Sequence, residues 1–439
     1  MKHNITFSVI AAAALASCTQ NEDFTSQYNE KAKTMKFDVA YVGKNTRATG
    51  DIISIDDKKF ILWGAAYQRT WSETESSTET FVCSNGLWIT NKEPLTFAKS
   101  SASGYWEVSG ESEQANKEVA YPGSNYRTYF TAIAPADEFE VAPAEGTSAT
   151  KATFSMAGQK DASSTSPSST TRKLTLDNIP VVQEIENTSG SLKGTDYLIA
   201  CQNSISEEVS LTFKHLLSKL RFAVWTDENT VPTTGGETTK IELNSLKIYL
   251  PKIGTAKYEQ TKHNDVKGTW TWSGFTNNAT TPDETNYQSF EIYNESTGKD
   301  VNYIADANTA HSNFEQIKLN KNFFIAPTGD NDNVNLYIDI EYTVKRKVNG
   351  LWSTTNDVSQ KDVEGQVYSA GHKVVKREKM AIPIKDASHP VDDNNNEGLS
   401  HFHQGYIETL YICLRADQKV TFSTFNVADW VEDPINGDD

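Results

Sequence analysis

Apolar and polar positions alternate with a period of two over much of the chain, and the alternating runs are separated by stretches rich in Thr, Ser, Asn and Gly. That pattern predicts strands with one buried face, because the apolar positions of a helix would recur every three or four residues. The clearest run sets Leu336, Ile338, Ile340, Tyr342 and Val344 on one face and Tyr337, Asp339, Glu341 and Thr343 on the other. Val209, Leu211 and Phe213 form a second such face, and Leu220, Phe222 and Val224 a third, across a short link at 214–219. Further strands are predicted over 126–133, 246–250, 323–326, 406–414 and 419–425. Segment 147–172 is dominated by Ser, Thr, Ala and Gly and reads as a long surface loop or hairpin; 226–239, with Pro232 and Gly235-Gly236, is a second polar stretch. No repeat of fixed period is present. The expectation is an all-β chain of two antiparallel β-sandwich domains in tandem, 48–206 and 207–439, divided near 204–208.

One alternating run precedes those domains. Met35, Phe37, Val39 and Tyr41 alternate with Lys36, Asp38, Ala40 and Val42, so this segment reads as a half-buried strand rather than a tether. Residues 43–50 then read as an exposed loop, the kind of place a protease cuts, with Arg47 and Ala48 flanking the candidate bond. Cutting there would free a strand whose apolar side chains each contribute roughly 1.5–3 kcal/mol when buried. The groove left behind would expose unpaired backbone N–H and C=O groups, which a strand from a neighbouring subunit can satisfy. Val420 and Phe422, then Phe425 and Val427, form the candidate donor strand near the C-terminus.

The first residues carry a different signal. Lys2 and His3 precede an apolar stretch over 5–15, the length of an export signal and too short to span a bilayer. It ends in Leu15-Ala16-Ser17-Cys18, which resembles the lipobox of bacterial lipoproteins. The expectation is a signal peptide over 1–17, lipidation at Cys18 and a pro-segment over 18–47. Acyl chains would hold the mature N-terminus at a membrane, each buried methylene contributing about 0.8 kcal/mol.

Composition narrows the function. With 439 residues, 41 Lys+Arg against 58 Asp+Glu and a net charge of −17, the chain lacks the basic footprint that grips nucleic-acid phosphates. Its 18 Tyr, 19 Phe and 9 Trp suit a β-rich exported protein. Once Cys18 is set aside, Cys83, Cys201 and Cys413 leave room for at most one disulfide, and Cys413 in an alternating run reads as a buried thiol.

No catalytic or cofactor motif is found: there is no GxSxG, HExxH, P-loop or dinucleotide fingerprint. The His401-Phe402-His403 pair has no third ligand nearby, and the Asp/Asn-rich stretches at 330–333 and 392–396 lack the spacing of a calcium loop. Catalytic residues, metal and cofactor are therefore all expected to be absent. Trp270-Thr271-Trp272 places two indoles on one strand face, which suits packing and also suits a sugar ring. That pair supports the alternative reading, an outer-surface lipoprotein that binds glycans.

Several stretches in order along nearly the whole chain resemble the fimbrillin family of pilus subunits. They are Tyr129-Phe130-Thr131-Ala132-Ile133-Ala134-Pro135, Asp196 to Ala200 followed by Val209 to Leu220, Phe323-Phe324-Ile325-Ala326-Pro327, and Gly405-Tyr406 through Val427-Ala428-Asp429-Trp430. The lipobox and Thr46-Arg47-Ala48 fit the same pattern. The resemblance implies two transthyretin-like sandwich domains and a structural, non-enzymatic role in cell adhesion. It also implies an outer-membrane lipoprotein precursor that becomes part of a fimbrium at the cell surface by proteolysis-triggered strand exchange. The implied partners are other copies or related pilus subunits, a lipid anchor in the precursor, a processing protease and a host or bacterial surface ligand, with no nucleic acid.

Overall fold

The computed structural model describes residues 33–41, 59–68, 86–90, 94–109, 118–143, 148–156, 173–185, 194–227, 238–252, 254–261, 265–274, 282–328, 334–348, 351–352, 372–382 and 402–427. Among them the fold is all-β, as the alternation predicts, with two short helices, α1 (Ala307–Ser312) and α2 (Phe314–Ile317). No helix among the described residues is long and apolar enough to cross a membrane.

The first half of the chain builds a closed ring. Its strands are β1 (Lys36–Tyr41), β2 (Phe60–Gln68), β4 (Leu95–Lys99), β5 (Trp106–Val108), β6 (Tyr126–Ala134), β11 (Leu198–Ser204) and β12 (Glu208–His215), while β3 (Gly86–Trp88) pairs the far half of β2. Round the ring the order is β2-β4-β5-β1-β12-β11-β6, and β6 pairs back onto β2. Closure of this kind removes sheet edges. Phe37, Phe60, Leu62, Phe97, Trp106, Phe130, Ala132, Leu211 and Phe213 fill the interior.

The alternate residues Ile61, Trp63, Ile133 and Ile199 face outward and are covered by a second sheet. That sheet runs β16 (Gly268–Ser273), β15 (Thr255–Gln260), β9 (Leu174–Pro180), β8 (Ala152–Met156), β7 (Phe139–Val141). Burial on both faces explains why Tyr129 to Ala134 is apolar almost without interruption. Of the two readings of segment 147–172, the hairpin holds: β8 lies in it and pairs antiparallel with β9, the next strand, with Phe154 and Met156 buried against the ring.

The remaining strands form a sandwich. One sheet is β10 (Val182–Ile185), β18 (Asn322–Ile325), β13 (Ser218–Trp225), β22 (Ile407–Leu414), β23 (Val420–Val427). The other contains β14 (Thr238–Pro251), β17 (Tyr287–Asp300), β19 (Tyr337–Val348), β20 (Leu351–Trp352) and β21 (His372–Ala381). Leu220, Phe222, Phe323, Leu410 and Ile412 meet Leu243, Leu246, Ile248, Ile338 and Ile340 in the core between them. Leu243 and Leu246 both reach that core at odd spacing because the β14 register shifts between Leu243 and Ser245. On the far side of β13 and β22, Ala223, Trp225, Tyr411 and Cys413 pack with Ala310 of α1 and Ile317 of α2.

The chain leaves the ring at His215 and enters the sandwich at Ser218 through Leu216 and Leu217, both fully buried. The division expected at 206/207 falls before β12, although β12 is needed to close the ring. The β15–β16 hairpin lies later still in sequence and nevertheless pairs with β9 against the ring. Alternation locates strands; it does not reveal which sheet each one joins.

Candidate functional site: the seat of the first strand

The segment that the sequence marks as a strand ahead of Arg47 is an interior member of the ring. Met35, Phe37 and Val39 are buried and Lys36 and Asp38 exposed, the alternation of a strand with one face on a core. The Phe37 ring sits 5.0 Å from Phe97 and 5.2 Å from Phe130, edge-on to both. Phe97 in turn stacks on Phe60 at 5.2 Å, and Phe60 reaches Trp106 at 5.0 Å and Phe213 at 5.6 Å. Phe37 is therefore one member of an aromatic cluster supplied by strands from all round the ring.

The backbone of β1 is held unequally on its two sides. Towards β12 it runs parallel through six register pairs, from Lys36 opposite Glu208 to Tyr41 opposite Phe213. Towards β5 one pair is formed, Phe37 opposite Trp106. Ahead of the strand, the Met35 N–H donates to the Val119 carbonyl and the Tyr121 N–H to the Lys33 carbonyl, both at 2.8 Å. The Asp38 carboxylate accepts the N–H of Val39 at 2.9 Å. On the solvent face, Lys33 pairs with Glu207 at 3.3 Å and Lys36 with Glu208 at 3.7 Å. Exposed pairs of this kind contribute little. The apolar face and the β12 ladder therefore carry the binding of β1.

Neither neighbour of β1 in the ring is its neighbour in sequence, since β5 and β12 lie far downstream. Its covalent connection to the rest of the ring runs through 42–58, which includes Arg47 and Ala48 and lies outside the described residues, as does Cys18.

The candidate donor residues occupy β23. This strand pairs antiparallel with β22 at eight positions, from Val420 opposite Leu414 to Val427 opposite Ile407, and forms one end of its sheet. Phe422 is buried in the sandwich core and Val420 packs against it half-buried. Phe425 and Val427 lie opposite Thr409 and Ile407 in the ladder.

The tryptophan pair is engaged in packing. Trp270 is buried 5.3 Å from the Tyr258 ring, and the half-buried Trp272 donates its indole N–H to the Pro327 carbonyl at 2.8 Å. Of the histidine pair, His401 is outside the described residues; His403 Nδ1 lies 3.0 Å from Glu408 Oε1. No group of three or more potential metal ligands occurs among the described residues. Residues 329–333 and 383–401, which hold both Asp/Asn-rich stretches, lie outside them, as does Cys83. Neither Cys201 nor Cys413 is in a disulfide, and the Cys201 sulfur accepts the Gln260 amide N–H at 3.1 Å; burial pushes the Cys413 thiol up to about 12.

Two buried polar features escape pattern reading. Asp196 and His215 pair at 2.8 Å where the chain leaves the ring. Glu408 is fully buried, and its carboxyl is raised above its ordinary value chiefly by that burial, against a smaller opposing effect of His403. Both acids sit beside apolar strand residues that gave no hint of a polar partner; Asp196 finds His215 across the β11–β12 pair, whereas Glu408 finds His403 in the turn just ahead of its own strand.

No family model matches the chain, and no curated protein matches it. Among solved structures, it is similar to a fimbrial protein from Bacteroides vulgatus, with 14% identity over 90% of this chain and 99% of that one and a TM-score of 0.43. It is also similar to a candidate cell adhesion protein from Bacteroides ovatus, with 11% identity over 91% and 98% of the two chains and a TM-score of 0.38. A candidate adhesin from Bacteroides thetaiotaomicron covers 91% and 99% at 9% identity and a TM-score of 0.29.

Proposed function

We propose that the protein is a structural subunit of a bacterial surface pilus that serves cell adhesion. In this reading it is exported as a lipoprotein precursor carrying its lipid on Cys18, cut after Arg47, and polymerised when a strand from a neighbouring subunit replaces β1. The observation that carries the reading is the position of β1: a segment from ahead of Arg47 is an interior strand of a closed ring, between β5 and β12.

The physical consequence sets the order of events. While the link over 42–58 is intact, β1 returns to its seat faster than any intermolecular strand can compete, because its effective concentration there is high. Once cut, β1 is held by non-covalent contacts alone and its loss opens the ring. The backbone of β12 and the aromatic cluster around Phe97 and Phe130 then lack partners, and an incoming strand recovers both contributions. Processing thus acts as the trigger, and the unprocessed chain stays monomeric.

Replacing Arg47 by Ala tests this. The precursor should fold and reach the surface, and the ladder of polymers that survives mild heating in detergent should vanish. A normal ladder from the variant would remove Arg47 from the mechanism.

A further inference from the structure

The sandwich sheet built from β17, β14, β19 and β21 ends in two strands of opposite charge. Among the described residues β17 pairs with β14 alone and β21 with β19 alone. β17 carries Glu291, Glu295 and Asp300 against Lys299, whereas β21 carries Lys376, Arg377 and Lys379 against Glu378, in a chain of net charge −17. We infer that β21 of one copy pairs antiparallel with β17 of a second, so that this sheet continues from copy to copy, side by side. The contact uses neither β1 nor the ring, so it stands or falls apart from strand exchange.

Direction and register both suit the pairing. The three pairings that lead from β17 to β21 are all antiparallel, so a copy that extends the sheet brings its β21 alongside β17 in the antiparallel sense. Followed strand by strand, the ladders put Ser289 level with Ala381, Phe290 with Met380, Tyr293 with Arg377 and Asn294 with Lys376. The register shift between Leu246 and Lys247 adds a residue to β17, and the one between Ile338 and Ile340 adds a residue to β21. The two irregularities cancel, and the rows hold one register from 289 to 294. Extended into a second copy, the same rows also set Glu291 opposite Lys379.

The facing residues are complementary. Phe290 and Met380 both pack on the sandwich core and both remain half-buried, because each lies where that core meets an open side. Opposite one another they would cover that surface. Tyr293 is half-buried against the same core and would face the exposed Arg377, a pairing of ring and cation. Glu291 and Lys379 are exposed and of opposite sign. Lys376 is held at 2.7 Å by Glu378, an exposed pair that leaves it able to reach Asn294 as well. Pairing β17 with β17 would instead oppose carboxylates, and β21 with β21 cations, so charge selects the mixed pair. A contact of this size is weak between two free chains and adds up where many copies stand in a row.

A disulfide tests the register on the full, uncut chain. Ser289 and Ala381 are exposed and lie about 14 Å apart within one copy, too far to bridge, whereas opposite positions on neighbouring strands are within reach. Chains carrying Ser289→Cys would be mixed with chains carrying Ala381→Cys at high concentration and low salt under a mild oxidant. The expected product is a dimer linked through those two residues, identified by peptide mass spectrometry, and absent when either variant is oxidised alone. Glu291→Lys in the first chain should lower its yield by about three- to fivefold, and Lys379→Glu in the second should restore it. These substitutions are at exposed positions, and unchanged thermal midpoints would confirm intact folds. Absence of the mixed dimer, equal linkage of either variant with itself, or a yield indifferent to Glu291→Lys would each overturn the inference.

Discussion

Phe37 meets Phe130 edge-on at 5.2 Å with their ring planes 87° apart, and the two residues come from opposite walls of the ring. One side chain of the segment ahead of Arg47 thus reaches across the interior of the ring that follows it. Any event that withdraws β1 takes with it the centre of that core.

Phe37→Ala should lower the stability of the uncut protein by about 3–5 kcal/mol, the usual cost of removing a large buried aromatic. Denaturant unfolding of the ring, followed by the fluorescence of its buried tryptophans, measures this. In polymers assembled after processing the same substitution should have no effect, since the residue is gone. An unchanged unfolding midpoint in the precursor would mean that Phe37 does not anchor the ring.

Glu408 predicts a pH dependence of stability. Burial raises its carboxyl in the folded state above the unfolded value, so the folded protein binds the proton more tightly. Stability from this residue is then full below the ordinary carboxylate range and declines as pH rises through the raised value, after which it is level. Glu408→Gln removes the titration. The thermal midpoint of the variant minus that of the parent should increase with pH across that window. A difference independent of pH would show that Glu408 does not titrate in the folded protein as its burial requires.

Cys413 should resist modification. Its thiol is buried at the helix-covered side of β22 and pushed up to about 12, so little thiolate exists at neutral pH. Iodoacetamide should leave Cys413 unlabelled in the native protein and label it after denaturation, as read by peptide mass spectrometry. Native labelling at the rate of a free thiol would contradict this placement.

Much of this architecture is legible in the sequence, and the limits are physical. The runs at 209–213, 220–224 and 336–344 announce strands because each buries one face, and 35–41 does so as well although it lies outside the bulk of the domains. Pairing is not legible in the same way. Nothing in the alternation of Met35 to Val39 says that it runs parallel to residues some 170 positions later, because a ladder reads backbone and leaves side-chain pattern almost free. The ring's closure and the crossing of β15 and β16 to the first half are hidden for that reason. The aromatic lining of the seat was in view as single residues, Phe97, Trp106 and Phe130, on three separate strands, and the fold alone gathers them around Phe37.

In the proposed assembly, β1 is removed and a neighbouring strand takes its place. Mass spectrometry of the N-terminal peptide from subunits in surface-derived polymers tests it most directly. The predicted result is a chain that begins at Ala48, with residues 35–41 absent from the polymer. Polymers whose subunits retain residues 35–41, or remain lipidated at Cys18 throughout, would contradict it.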